Sequence, residues 1–236
     1  MRKVGLFCIL LSLTIFSACN QRIKVTRTDT PTSGVAEIAS DDCFSPIVQE
    51  EIDVFEALNK DASIIPIYGS EVDAINLLLK DSLRLVIAAR DLTDAEKQGL
   101  LNKQLQPRTQ KIAVDGIALI INNQNTDSLI SVPQIKKIMT GEIDSWKQIN
   151  PRSKYDKIAV VFDNPNSSTV RFIKDSINRG EPLAEHLKAQ ENNKAVLDYV
   201  AKTPNAMGEI GVNWISNPTD TTNLSFNDKV RVMSVS

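Results

Sequence analysis

Histidine and cysteine are nearly absent from this chain of 236 residues, which has one histidine, His186, and three cysteines, Cys8, Cys19 and Cys43. A zinc site needs several His or Cys ligands, so none can be assembled from this set. A Ser-His-Asp triad would have to use His186, which reads as a surface helix residue. No serine sits in a Gly-x-Ser-x-Gly elbow, and no base accompanies one. The sequence therefore predicts no catalysis, no metal and no cofactor. Basic runs are also missing, since no stretch of Lys and Arg exceeds two. That excludes a nucleic-acid or polybasic lipid surface. The formal charge is -2, so no long-range field draws in an anion and any anion site has to be built locally.

What is present begins with an export leader. Arg2 and Lys3 precede an apolar stretch from Val4 to Phe16, and Ser17 and Ala18 precede Cys19. The stretch is too short for a typical spanning helix of about 20 residues, and its order is that of a cleaved secretory signal. Phe16-Ser17-Ala18-Cys19 resembles the bacterial lipobox, which implies lipidation at Cys19 and a membrane anchor. Loss of residues 1–18 removes two positive charges and leaves 218 residues with a formal charge of -4. Cys8 then leaves with the leader and Cys19 is taken by lipid, so Cys43 has no partner for a disulfide. The polar, Thr-rich stretch that follows, to residue 34, reads as a flexible tether.

From Val35 onward short apolar runs alternate with helical periods. Strands are expected at Val35–Ala39, Ser63–Tyr68, Leu83–Ala89, Ile112–Ile121 with a bend at Gly116, Ile158–Phe162, Met207–Ile215 and Val230–Val235. Helices are expected at Ser45–Asn59, after the cap at Ser70, after the Thr93/Glu96 capping box, at Ser131–Met139, at Ser168–Ile177 with Phe172, Ile173 and Ile177 inward, and at Asn193–Ala201. Such alternation specifies an α/β fold with largely parallel sheets.

Ligands in open α/β sheets sit beyond the carboxyl ends of strands, near helix N-termini. Three corners qualify: Ser40-Asp41-Asp42, Ala89-Arg90-Asp91, and Asp163 to Thr169. The last offers Ser167, Ser168 and Thr169 in succession, whose hydroxyls and free N–H groups can form an anion cradle or simply cap the helix. Ser70 is likewise a donor or a plain cap.

Several segments in order carry a family resemblance: Ile87-Ala-Ala-Arg-Asp-Leu-Thr, Val114-Asp-Gly-Ile-Ala-Leu-Ile-Ile-Asn, Ile138-Met-Thr-Gly-Glu-Ile-Asp-Ser-Trp, Val161-Phe-Asp-Asn-Pro-Asn-Ser-Ser-Thr and Gly208-Glu-Ile-Gly-Val. The chain resembles the phosphate-binding components of Pst-type ABC importers, which have the two-lobed periplasmic binding protein type II-like fold. The resemblance implies a signal peptide at 1–18, a tether at 19–34, lobe 1 at 35–114, lobe 2 at 115–212 and a return segment to lobe 1 at 213–236, with hinges at Asp115-Gly116 and near Gly208–Gly211. It implies a monomer on the periplasmic side of a membrane or on the cell surface, with an ABC transporter permease as partner and inorganic phosphate or a similar oxyanion as ligand. Ligand contacts would come from Ser40, Asp41, Ser70, Arg90, Asp163, Ser167, Ser168 and Thr169. The family's second-lobe arginine falls on Asp163, and its first-lobe aspartate falls near Arg90, so a cation and an acid would have exchanged lobes. The chain also lacks the elements that complete lobe 1, which predicts apolar surface left uncovered, Val230 and Val232 included. A relative that keeps the fold as a sensor or surface lipoprotein is the alternative that the acidic first corner allows.

Overall fold

The computed structural model describes residues 29–215 and 229–236. The leader, Cys19 and most of the tether lie outside the described residues. Among the described residues no helix is long and apolar enough to cross a membrane.

The first lobe is a β-α-β unit with additions. Strand β1 (Ser33–Asp41) leads through a 3-10 turn (Asp42–Phe44) into helix α1 (Ser45–Leu58), started by Pro46, and on to β2 (Asp61–Gly69). The two strands pair in parallel along their full lengths, Ser33 opposite Asp61 and Asp41 opposite Gly69. Ile38, Val48 and Ile52 make a small core beneath α1. On the opposite face Ala39 packs with Ala74 of α2 (Glu71–Leu79) and with Leu83. Strand β3 is only Val86–Ile87, pairing with Ala39 and Ser40, and α3 (Asp94–Asn102) follows behind the complete Thr93/Glu96 capping box. The expected strand Leu83–Ala89 is thus cut short. Its last N–H, from Ala89, is taken by the Glu71 carboxylate at 2.9 Å instead of by a strand.

The second lobe is built on a five-stranded mixed sheet in the order β7-β6-β8-β4-β9. Its strands are β4 (Ile117–Asn122), β6 (Ala159–Phe162), β7 (Lys188–Ala189), β8 (Ala206–Gly211) and β9 (Val230–Val232). Leu119 and Ile121 face one core while Ala118 and Ile120 face the other, so a strand buried on both sides reads as an unbroken apolar run. The first core lies under α4 (Val132–Met139), which ends on Gly141 at φ +86, and under a single turn α5 (Trp146–Ile149). The second lies under α7 (Asn193–Lys202), between β7 and β8 in sequence. Gly208 lets that helix approach, since a Cβ there would lie 2.7 Å from Val200 Cγ2. A two-stranded pair joins β5 (Leu129–Ile130) to β10 (Ser234–Val235).

Several expectations are corrected. The strand expected from Ile112 starts only at Ile117, because Ile112 and Val114 are exposed and pair with nothing that would hold them in a ladder. The expected helix Ser168–Ile177 is α6 (Ser168–Phe172) followed by a π turn (Ile173–Ile177), and Phe172 is turned outward, 45% exposed. Residues 212–214 form a 3-10 turn and not strand. His186 lies in an exposed turn and not on a helix. The largest correction concerns the C-terminal segment. Residues 230–235 do not complete lobe 1: β9 pairs antiparallel with β4, and Val230 is buried in a second-lobe core with Val232 partly buried against it. The uncovered apolar surface is instead on the first sheet, at Val35, Ile65 and Ile67.

Candidate functional site

The carboxyl ends of β1 and β6 face each other across the gap between lobes. Strand β1 delivers Asp41, whose side chain caps the 3-10 turn by accepting from Cys43 N at 3.2 Å. Its other oxygen crosses the gap and accepts from Ser168 N at 3.0 Å. Asp42 also reaches across, accepting from Asn193 N at 3.1 Å and Asn193 Nδ2 at 3.2 Å, and so caps α7 from the opposite lobe. Strand β6 delivers Asp163. One of its oxygens accepts from Ser167 Oγ at 2.5 Å and from Thr169 Oγ1 at 2.7 Å, and the other from Asn193 Nδ2 at 3.0 Å. Ser167 in turn accepts from Val170 N at 3.3 Å as the cap of α6.

Six of the eight residues read from sequence therefore come together: Asp163, Ser167 and Thr169 share one set of hydrogen bonds, Asp41 and Ser168 form a second beside it, and Ser70 lines the same cleft as Asp41, Asp163 and Ser167. Ser70 caps α2 by accepting from Asp73 N and donates to Asp73 Oδ2 at 2.6 Å. Ser40 is buried and donates to the carbonyl of Asp41 at 3.1 Å, behind the cleft and not on its wall. Arg90 is not brought to the site. Its guanidinium forks onto Glu96, Nη1 and Nη2 each 2.8 Å from a carboxylate oxygen, and Nη1 also reaches the Asp91 carbonyl. A bidentate partner six residues away outcompetes a distant ligand site. The ion pair holds the Glu96 carboxyl down at about 2.

The cleft is a cavity of about 210 Å³ whose charged lining groups, among the described residues, are all acids: Asp41, Asp42, Asp73, Asp163 and Glu191. Burial pushes the Asp163 carboxyl up to about 6, against the lowering effect of its Ser167 and Thr169 bonds, and the Asp41 and Asp42 carboxylates add to the rise. Asp41 is raised as well, chiefly by burial, with the Ser168 and Cys43 bonds opposing. Glu209 on β8, fully buried, is raised well above the carboxylate range by burial and by Asp163, and its Oε1 has no hydrogen-bond partner. Among the described residues no group of three or more His, Cys, Asp and Glu is placed to hold a metal ion.

Three groups escaped the sequence reading. Asn193 ties Asp42 to Asp163, and Glu71 meets Arg171 across the gap, Nε to Oε2 at 2.6 Å and Nη2 to Oε1 at 3.1 Å. Glu71 followed the cap Ser70 and Arg171 followed the Ser-Ser-Thr run, so both stood beside marked positions. Nothing local pairs residues a hundred positions apart.

The chain is 26% identical over 172 residues to the phosphate-binding protein PstS of Staphylococcus aureus, covering 72% of this chain and 52% of that one. It thus spans about half the length of the curated relatives it matches. Its fold superposes on a candidate phosphate ABC transporter substrate-binding protein with bound phosphate from Clostridium perfringens, with a TM-score of 0.73, 24% identity, and 86% and 76% of the two chains covered. It also superposes on an ABC-type phosphate transport receptor from Vibrio cholerae, with a TM-score of 0.58, 20% identity, and 86% and 76% covered. At these identities the structural likeness is one of fold. The family model that describes the PBP superfamily domain matches residues 25–236. With its two α/β lobes and the cleft between them, the chain belongs to the PBP superfamily.

Proposed function

We propose that this protein is an exported, lipid-anchored solute-binding protein that captures inorganic phosphate between its lobes for an ABC importer. The observation that supports this best is the convergence, at one point of the cleft, of the Ser167 and Thr169 hydroxyls and the Ser168 N–H with the carboxylates of Asp41 and Asp163 from opposite lobes. The hydroxyls and N–H suit the bare oxygens of a phosphate, and the carboxylates suit its protons. Sulfate carries no proton near neutral pH, so carboxylates repel it without a compensating bond. Since Asp41 already holds the Ser168 N–H, phosphate binds by displacing that carboxylate. Each bond to the charged ligand contributes about 1.5–3 kcal/mol.

Isothermal titration of the full mature chain tests this. Phosphate is expected to give heat at micromolar concentration and sulfate none, and Thr169→Val is expected to weaken phosphate about tenfold, by the usual 1.4 kcal/mol per decade. A second reading, a surface or sensor protein that keeps the fold without a solute, is favoured by one observation: Asp41 and Asp163 already satisfy the cradle donors and the cleft carries acids alone. No heat with millimolar phosphate selects that reading and ends the first.

The anchor has its own test. Labelling cells with a fatty acid is expected to mark the wild type and leave Cys19→Ala unmarked. Equal labelling of the two removes the lipid anchor.

A further inference from the structure

The acid at the centre of the site is held on its two oxygens by groups of different kinds. Asp163 Oδ1 accepts from the Ser167 hydroxyl at 2.5 Å and the Thr169 hydroxyl at 2.7 Å, and those two hydroxyl oxygens lie 2.9 Å apart. Oδ2 accepts from Asn193 Nδ2 at 3.0 Å. The Asn193 amide is fixed in this sense, because its Oδ1 accepts from Gly211 N at 3.3 Å and its Nδ2 also donates to Asp42 at 3.2 Å. An amide nitrogen only donates, whereas a hydroxyl both donates and accepts. A proton taken up by Asp163 therefore belongs on Oδ1, where the hydroxyls can turn to receive it. Three oxygens then share three hydrogens in place of two. Asp163 donates to Thr169, Thr169 donates to Ser167, and the Ser167 hydrogen is left to point outward. Of the two hydroxyls, that of Ser167 is the one that lines the cleft.

We propose that one proton on Asp163 reverses the polarity of the Ser167 hydroxyl and so decides which oxyanion the cleft accepts. The inference rests on the reading of this cleft as an oxyanion site. With Asp163 ionised, Ser167 gives its hydrogen to the acid and shows the cleft a lone pair, which suits an oxygen that carries a proton. With Asp163 protonated by water, Ser167 shows an O–H, which suits a bare oxygen, and sulfate is no longer turned away. The titratable groups that face Asp163 are Asp41 and Asp42 across the gap, the Cys43 thiol, and Glu209 of β8, none of them a cation. Helices α6 and α7 bring it the Thr169 hydroxyl and the Asn193 amide, while Arg171 is taken by Glu71. Burial, opposed by the two hydroxyl bonds, sets the change at about 6.

Calorimetry with millimolar sulfate tests this, because sulfate stays unprotonated from pH 5 to 8 and adds no titration of its own. The wild type is expected to bind sulfate at least tenfold more tightly at pH 5 than at pH 8. Asp163→Asn fixes the protonated arrangement, since Asn193 Nδ2 holds the new carbonyl and turns the new amide nitrogen toward the hydroxyls. That variant should bind sulfate equally well at both values. Loss of a negative charge would by itself favour an anion, and Ser167→Gly separates the two causes. Glycine is a tolerated helix cap, and a thermal melt confirms that each variant is folded. In Ser167→Gly the gain on acidification is expected to vanish. No gain in the wild type between pH 8 and 5, or a full gain in Ser167→Gly, overturns the proposal. Phosphate titrated at pH 8 into the same wild-type sample reports separately: absence of heat there ends the phosphate reading, while the sulfate series decides the switch.

Discussion

Lowering the pH from 8 to 5 is expected to stabilise the protein by about 1.4 kcal/mol, roughly half of the full effect of about 3 kcal/mol and the reverse of ordinary acid behaviour. The cause is Asp163, whose carboxyl is raised by burial to about 6 from 3.8. A shift of one unit corresponds to about 1.36 kcal/mol. Between these two values the folded protein holds a proton that the unfolded chain has released, so unfolding free energy falls as pH rises through the window. Above pH 6 the full penalty of a buried charge is present, and below about 4 it is gone. Asp41 and Glu209 are raised by burial too and act in the same direction. Opposing them, Glu96 is held at about 2 by Arg90, but that stabilisation is complete above the unfolded value and fades only as pH falls below about 4.5. The gain therefore begins near pH 7, and the part of it that lies above pH 5 is free of that opposing effect. Urea unfolding at intervals of one pH unit should show it, and Asp163→Asn should flatten the slope while stabilising the protein at pH 8. A stability that declines steadily from pH 7 downward would refute the assignment.

Trp146→Ala is expected to cost about 3–5 kcal/mol, the range for removing a large aromatic from a core. Trp146 is fully buried beneath the five-stranded sheet, and its indole N–H donates to the Asn205 carbonyl at 2.9 Å. The substitution leaves a cavity and removes one of the two hydrogen bonds to the Asn205 carbonyl, the one from the Ala159 N–H at 3.1 Å remaining. Trp214, the other tryptophan, lies against the second core and at the junction of the lobes, so its fluorescence reports unfolding in the variant. A loss under 1 kcal/mol would mean that the turn Trp146–Ile149 does not anchor this core.

Both effects rest on residues that local sequence marked. Trp146 closes the Ile138–Trp146 segment of the family resemblance, and Asp163 opens the Ser-Ser-Thr corner. The caps at Ser70, Thr93 and Ser131 are legible because capping is a contact within three residues. What failed was the choice of partner. Arg90 looked free until Glu96 claimed it, and the Asp41 carboxylate was a repulsive neighbour in sequence but an acceptor for Ser168 N in space. The destination of Val230–Val235 could not be read either. An apolar β-prone run states that it will pair, and only the fold decides with which strand. The short β3 failed in the other direction, because a side chain, Glu71, took the N–H that would have extended it.

The pairing of β9 with β4 also sets an order of events. The parallel unit of β1, α1 and β2 is complete within residues 33 to 69, so its contacts close short loops. The second sheet cannot be finished until Val232 meets Ile120, which requires nearly the whole chain to be present. Pairings so distant along the chain carry a larger entropic barrier and form slowly. While the C-terminal residues are still to arrive, β4 has one empty edge, and the apolar side chains that Val230 and Val232 will cover remain open to water. During emergence from the ribosome, N-terminus first, the chain would thus carry a formed first lobe ahead of a second lobe that waits for its last strand.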